Sequence, residues 1–230
     1  MVHFTLFGIP VYIRPSFWVV LAIFGGALNI SSVEDLIYPA LFVIAGFIAI
    51  LSHEMGHALV GRKLGGGQQT IVLELFGGLT SSHGMQLTRG GRALMILAGP
   101  MMTLLLGIIS LWLTWHIVAP VMASYNLNLW DLAISPFTAA LISPKLYILS
   151  CLIMIGEWWT ILNLLPIYPL DGGQLFAQYI RSPRKVFMTG FITAILIGLL
   201  SFQIFHGYFI PIFMALFAYS NYREYKNAPF

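Results

Sequence analysis

Charge is scarce in this chain of 230 residues: Asp, Glu, Lys and Arg make up 8% of it, about a third of the usual share. That scarcity excludes an ordinary soluble globule, whose surface needs charge to stay hydrated. Cysteine is nearly absent as well. A single Cys151 excludes an intrachain disulfide, and its setting in an apolar run makes it a packing residue. The opening stretch MVHFTLFGIPVYIRPSFWVVL lacks a basic segment followed by a small-residue cleavage site, so no removable signal is expected. No internal repeat or low-complexity tract stands out, and there is no room for an inserted soluble domain. Gly65-Gly66-Gly67 is not followed by the lysine and hydroxyl residue of a phosphate loop, and reads as a flexible exit.

What is plentiful is hydrocarbon. Hydrophobic residues form 59% of the chain, and several runs approach the ~20 residues that cross a bilayer as helix. The expectation is one all-α polytopic membrane domain, residues 1–230, with about six spans near 16–30, 36–61, 93–118, 146–165, 186–205 and 207–222. The formal charge of +3 says little by itself, and no nucleic-acid partner is expected. Its distribution says more. Threading six spans from the inside puts ten of the eleven Lys and Arg residues on the cytoplasmic side, leaving only Lys145 opposite. The positive-inside bias therefore predicts a multi-pass protein, of the cell membrane, with both termini cytoplasmic.

Residues 2–13, interrupted at Gly8-Ile9-Pro10, and the β-branched stretch 68–82 read instead as short strands at the cytoplasmic face. Non-helical backbone near lipid is acceptable only under cover of protein or a wet cavity. Residues 122–143 read as an outer loop or surface helix.

Into the second span falls LSHEMGHAL. His53-Glu54-Met55-Gly56-His57 is H-E-x-x-H, and on a helix positions i and i+4 share a face, so both imidazoles can converge on one ion. Glu54 lies beside such an ion, placed to take a proton from the water it activates. An isolated glutamate at membrane depth is costly and is functional by default. His53 precedes Arg62 by nine residues, ~13 Å of helix axis, which places the motif inside a hydrocarbon core ~30 Å thick.

A catalytic zinc has three protein ligands and one open position. At depth the third can come from Glu74, Glu157, Asp171 or another histidine. Asp171 stands out in NLLPIYPLDGG, residues 163–173, where Pro166 and Pro169 break the fourth span and a helix can restart at the aspartate. Ten residues separate it from Arg181, ~15 Å if helical, the same depth from an independent anchor. The other role open to Asp171 is to cap the restarted helix, and a ligating aspartate can do both.

HEMGH together with NLLPIYPLDGG resembles the site-2 protease family of intramembrane zinc metalloproteases. The likeness extends to FGIPVYIRPSFW, FGGLTSS and LAGPMMTLLLG, and so covers most of the chain. It implies Zn²⁺ held by His53, His57 and Asp171, with Glu54 as base and acid. Asn163, in the family's N-x-x-P position, is then a residue for holding substrate or the developing oxyanion; satisfying backbone groups freed by Pro166 is its other role. The substrates implied are transmembrane segments of other proteins, cut within the bilayer, with a regulatory membrane protein acting in trans. Many relatives carry a PDZ insert or a C-terminal CBS pair, for which this chain has no room, and Thr103 stands where family members often have Asn.

A helical substrate must unwind to be cut, and its freed backbone groups then need partners. TIVLELF, residues 70–76, is the expected edge strand for that purpose, with Gly77 and Gly78 allowing close approach. Two other readings use the same residues. One is a metal-binding scaffold or transporter without hydrolysis; the other is a membrane-embedded H-E-x-x-H peptidase of the prenyl-protein type, whose third ligand is a glutamate.

Overall fold

A computed structural model of the chain describes residues 1–75, 77–125, 135–206 and 208–229. It divides into two compact units, Met1–Thr160 and Ile161–Phe230.

The first unit opens with a hairpin, β1 (Val2–Leu6) and β2 (Ile9–Ile13). Phe7 and Gly8 both have positive φ, 50° and 76°, the backbone that a two-residue turn between twisted strands requires. Pro15 then starts α1 (Pro15–Phe24) at its first turn, where a missing N–H costs nothing. Two short 3₁₀ turns lead into α2 (Ile37–Gly65), and a second hairpin follows: β3 (Gln68–Glu74) and β4 (Gly77–His83). The unit continues through α3 (Arg89–Tyr125), α4 (Pro136–Ile142) and most of α5 (Pro144–Asn163). Of the expected outer stretch 122–143, residues 126–134 lie outside the described residues.

The four strands form one mixed sheet in the order β1-β2-β3-β4, with β2 and β3 parallel and both hairpins antiparallel. Ile9, Val11 and Ile13 of β2 and Ile71 and Leu73 of β3 face one core with Phe17, Leu21, Ile50, Met55 and Ala58 of α1 and α2. This is the period-2 alternation of a sheet with one covered face. The topology corrects one expectation. Residues 70–74 are not an edge, because β3 is paired on both sides, through Val11–Ile13 and through β4. The crossover through α1 and α2 brings β3 back alongside β2, which leaves β1 and β4, Gly77–His83, as the two outer strands.

The second unit holds α6 (Asp171–Tyr179), α7 (Pro183–Phe205) and α8 (Phe209–Asn227). Ile167, Ala194, Met214 and Ala218 form its core.

Among the described residues four helices are long and apolar enough to cross a membrane: Glu34–Gly65, Arg89–Val118, Pro144–Asn163 and Pro183–Ile204. The two other expected spans correspond to α1 and α8. With ten residues, α1 covers ~15 Å, about half a hydrocarbon core. The last turns of α8 carry Arg223, Glu224 and Lys226. The observed architecture is thus mostly helical with a small sheet.

Candidate metal centre

His53, Glu54 and His57 occupy one buried stretch of α2, with 2%, 5% and 8% of their surfaces exposed. Such burial removes three polar groups from both water and lipid headgroups, so their partners decide what they can do. The two imidazoles meet at 83°, with their Nε2 atoms 3.1 Å apart. Two nitrogens at ~2.0–2.1 Å from a tetrahedral zinc are themselves ~3.3 Å apart, so the pair has the spacing of two ligands on one ion. His57 Nδ1 donates to the carbonyl of Met95 at 2.8 Å. That bond leaves the Nε2 lone pair directed at the ion position, the usual arrangement for a ligating histidine.

His53 Nδ1 lies 3.5 Å from Thr103 Oγ1. The Thr103 hydroxyl has one proton and several neighbours: the carbonyls of Gly99 at 3.3 Å and Pro100 at 3.0 Å, and Thr160 Oγ1 at 3.0 Å. Donating to Pro100 leaves its lone pairs to receive the His53 N–H. Thr160 also reaches the Pro100 carbonyl, at 3.3 Å, and ties α5 into the same polar cluster.

The glycines explain how α2 and α3 come so close. A Cβ on Gly56 would press on the Ala98 carbonyl and on Met102, and one on Gly99 would enter the space at both Nε2 atoms. Small residues at a helix crossing in a membrane permit this approach. Gly99 also keeps clear the volume that a metal would fill. In its donor chemistry, the fixed orientation of His57 and this clearance, the site fits a zinc ion.

Glu54 is held from the sheet. Thr80 of β4 donates to Glu54 Oε2 at 2.7 Å and lies 3.1 Å from the Glu54 carbonyl oxygen. Gly78, two residues earlier on the same face of the strand, packs so tightly on the Glu54 carboxylate that no Cβ would fit. Gly77, at φ 117°, is covered in the same way by the Trp159 ring. The close approach that Gly77-Gly78 was expected to offer a substrate is thus made, within the fold, to Glu54 and Trp159.

In the second unit, Asp171 is the first residue of α6 and is 5% exposed. The helix restarts where the sequence suggested, with Leu170 as N-cap, but ends at Tyr179, short of Arg181. Before it the chain turns tightly, through Ile167 N to Leu165 O and Leu170 N to Ile167 O, both 2.8 Å. A Cβ on Gly172 or Gly173 would strike the carbonyls of Leu164 and Ile167 respectively, which accounts for D-G-G. Asn221 of α8 donates to the Tyr168 carbonyl at 2.6 Å and braces this segment. Asn163 is buried at the end of α5.

The other acids and histidines take different places. Glu74 pairs with Arg14 at 2.9 Å at the end of the sheet. Glu157 is exposed on α5. His3 stacks on Tyr12, His116 meets the Trp112 ring edge-on, and His206 closes α7. Sequence reasoning missed Thr80, Gly99 and Met95 as neighbours of the motif. Thr103 stood there as a departure from the family pattern. Only Gly99 carried a signal, a glycine in the middle of an apolar helix, where propensity disfavours it.

A family model described as Peptidase family M50 matches residues 41–205. A zinc metalloprotease of Methanocaldococcus jannaschii is 28% identical over 227 residues, covering 94% of this chain and 57% of the relative. A provisionally named zinc metalloprotease of Synechocystis sp. is 28% identical over 188 residues, covering 76% of this chain and 43% of that one. The chain thus spans about half the length of these relatives. Among solved structures, the site-2 protease from Methanocaldococcus jannaschii matches with a TM-score of 0.59 at 21% identity, covering 97% of this chain and 94% of that one. At that identity the likeness shows the fold.

Proposed function

Because this chain belongs to peptidase family M50, the family of the site-2 proteases, we propose that it is a zinc metalloendopeptidase that hydrolyses peptide bonds within or near transmembrane segments of other proteins. The observation that carries the reading is the buried pair His53–His57, Nε2 to Nε2 at 3.1 Å with His57 oriented by Met95, and a buried glutamate between them in sequence. Asp171 is the third ligand in this proposal; its burial at the start of α6 and its place in NLLPIYPLDGG support it. Bound zinc supplies Lewis-acid polarisation of the scissile carbonyl and acidifies water. Glu54 takes the water proton and returns it to the leaving amine, a role its position one residue from His53 permits. The Asn163 amide holds substrate or the developing oxyanion.

An unwound substrate pairs its freed backbone with β4, the outer strand that holds Glu54, which supplies N–H and C=O groups where water cannot. Proline at Ser82, whose N–H the ladder register turns away from β3, should cut cleavage and leave zinc in place; loss of zinc as well would make the strand scaffold. The excess of Lys and Arg on one side supports a cell-membrane protein with both termini in the cytoplasm.

The test of function compares membrane peptides from cells holding the native chain or Glu54→Gln. Truncated transmembrane peptides appearing only with the native chain identify the substrate and the reaction together. Identical peptide sets from both would leave a metal-binding scaffold. Asp171→Ala against Glu157→Ala, with zinc counted, separates this ligand set from one completed by a glutamate.

A further inference from the structure

We propose that Thr80 is a positioning residue for Glu54, so that the open-edge strand β4 sets the aim of the base. This rests on the reading above, in which Glu54 moves the proton. A glutamate has three side-chain torsions, and nothing in an α-helix fixes the last of them. Here two residues of one strand do so. Positions 78 and 80 share a face of β4: Gly78 leaves room for the carboxylate, and Thr80 donates to one of its oxygens, Oε2, at 2.7 Å. Oε2 is then engaged, and Oε1, which lies over Gly78, is the oxygen that moves the proton in this proposal.

The donor is itself held firmly. Thr80 stands opposite Ile71 in the ladder with β3, whose far side is paired with β2. Its hydroxyl also lies within reach of the Glu54 carbonyl oxygen, at 3.1 Å, so strand and helix are joined at the residue that carries the chemistry. The hydroxyl has a single proton, and the shorter contact directs it to the carboxylate. A strand that pairs with substrate on its outer edge therefore holds the base from its inner face.

The experiment uses the full chain purified in detergent, with a transmembrane reporter peptide that the native protein cleaves, and compares Thr80→Val, Thr80→Ser and Glu54→Gln. Valine keeps the shape of threonine without the hydroxyl; serine restores it. Thr80→Val should lower kcat about ten- to a hundredfold, with KM within about twofold and zinc content unchanged. Thr80→Ser should recover kcat to within about threefold. A second readout needs no turnover: in isotope-edited infrared spectra of metal-free protein, the carboxylate band missing from Glu54→Gln should shift in Thr80→Val and return in Thr80→Ser. Full kcat and an unmoved band in Thr80→Val overturn the proposal, as does loss of zinc in that variant or failure of serine to rescue. If Glu54→Gln cleaves as well as the native chain, the peptidase reading falls and this inference falls with it. An inactive Glu54→Gln beside a fully active Thr80→Val defeats this inference alone.

Discussion

On α2, two histidines and a glutamate ride a continuous helix of 29 residues, whereas Asp171 begins a helix of nine residues after a broken, proline-containing turn. Both segments bury polar side chains in an apolar setting, but their orientation comes from different sources. Along α2 the helical period puts His53 and His57 on one face, and partners distant in sequence finish the work: Met95, Thr103 and Thr80. Around Asp171 the chain has little regular backbone to rely on. Its shape comes from tight local hydrogen bonds, two glycines packed on the carbonyls of Leu164 and Ile167, and a brace from Asn221. Regular backbone gives geometry through period and borrows its tuning. Irregular backbone depends on positions where any added carbon would collide.

The largest expected effect tests the chemical half of this contrast. Glu54→Gln should reduce turnover about 10²–10⁴-fold while both histidines keep their zinc, as measured by cleavage and metal content on one preparation. Gly99→Ala comes next. Its added carbon enters the imidazole space, so zinc affinity should fall about 10–100-fold or more, as read by competition with a chelator. In the Asp171 segment, Gly173→Ala should act through the fold instead, at about 1–3 kcal/mol of overpacking, visible as a lower Tm in metal-free protein. Zinc lost from Gly173→Ala with an unchanged Tm would break the contrast between the two segments.

Smaller effects sharpen it. Asn221→Ala removes the brace on Tyr168 and should cost about 1–2 kcal/mol of stability, measured by thermal unfolding. At the surface, Arg14→Ala breaks an ion pair whose side chains are 59% and 37% exposed, and should change stability by only about 0–1 kcal/mol.

The difference between the segments also explains what the sequence disclosed. H-E-x-x-H is legible because its meaning lies in a spacing, and helix periodicity turns that spacing into a shared face. The strands within 2–13 and 68–82 were legible for a similar reason, since alternation and β-branched runs are local signals; the turn that divides the second stretch into two strands was not. The restart of a helix at Asp171 followed from two prolines. Which strand of the second hairpin lies outermost was not legible, because it depends on whether β3 or β4 comes to lie beside β2 after α1 and α2. Thr80 and Met95 likewise owe their roles to approach through space, and neither carries a pattern along the chain. Six spans were expected from apolar runs, and α1 shows the ambiguity: a run of suitable composition can end after ten residues.

Whether the α2 motif is part of a zinc peptidase can be decided on one preparation of the purified chain. Zinc is counted and cleavage of a transmembrane peptide is followed, for the native protein and for Glu54→Gln. One zinc per chain is expected in both, with cleavage by the native protein alone. Equal cleavage by Glu54→Gln, or a native chain that cleaves without zinc, would contradict the peptidase reading.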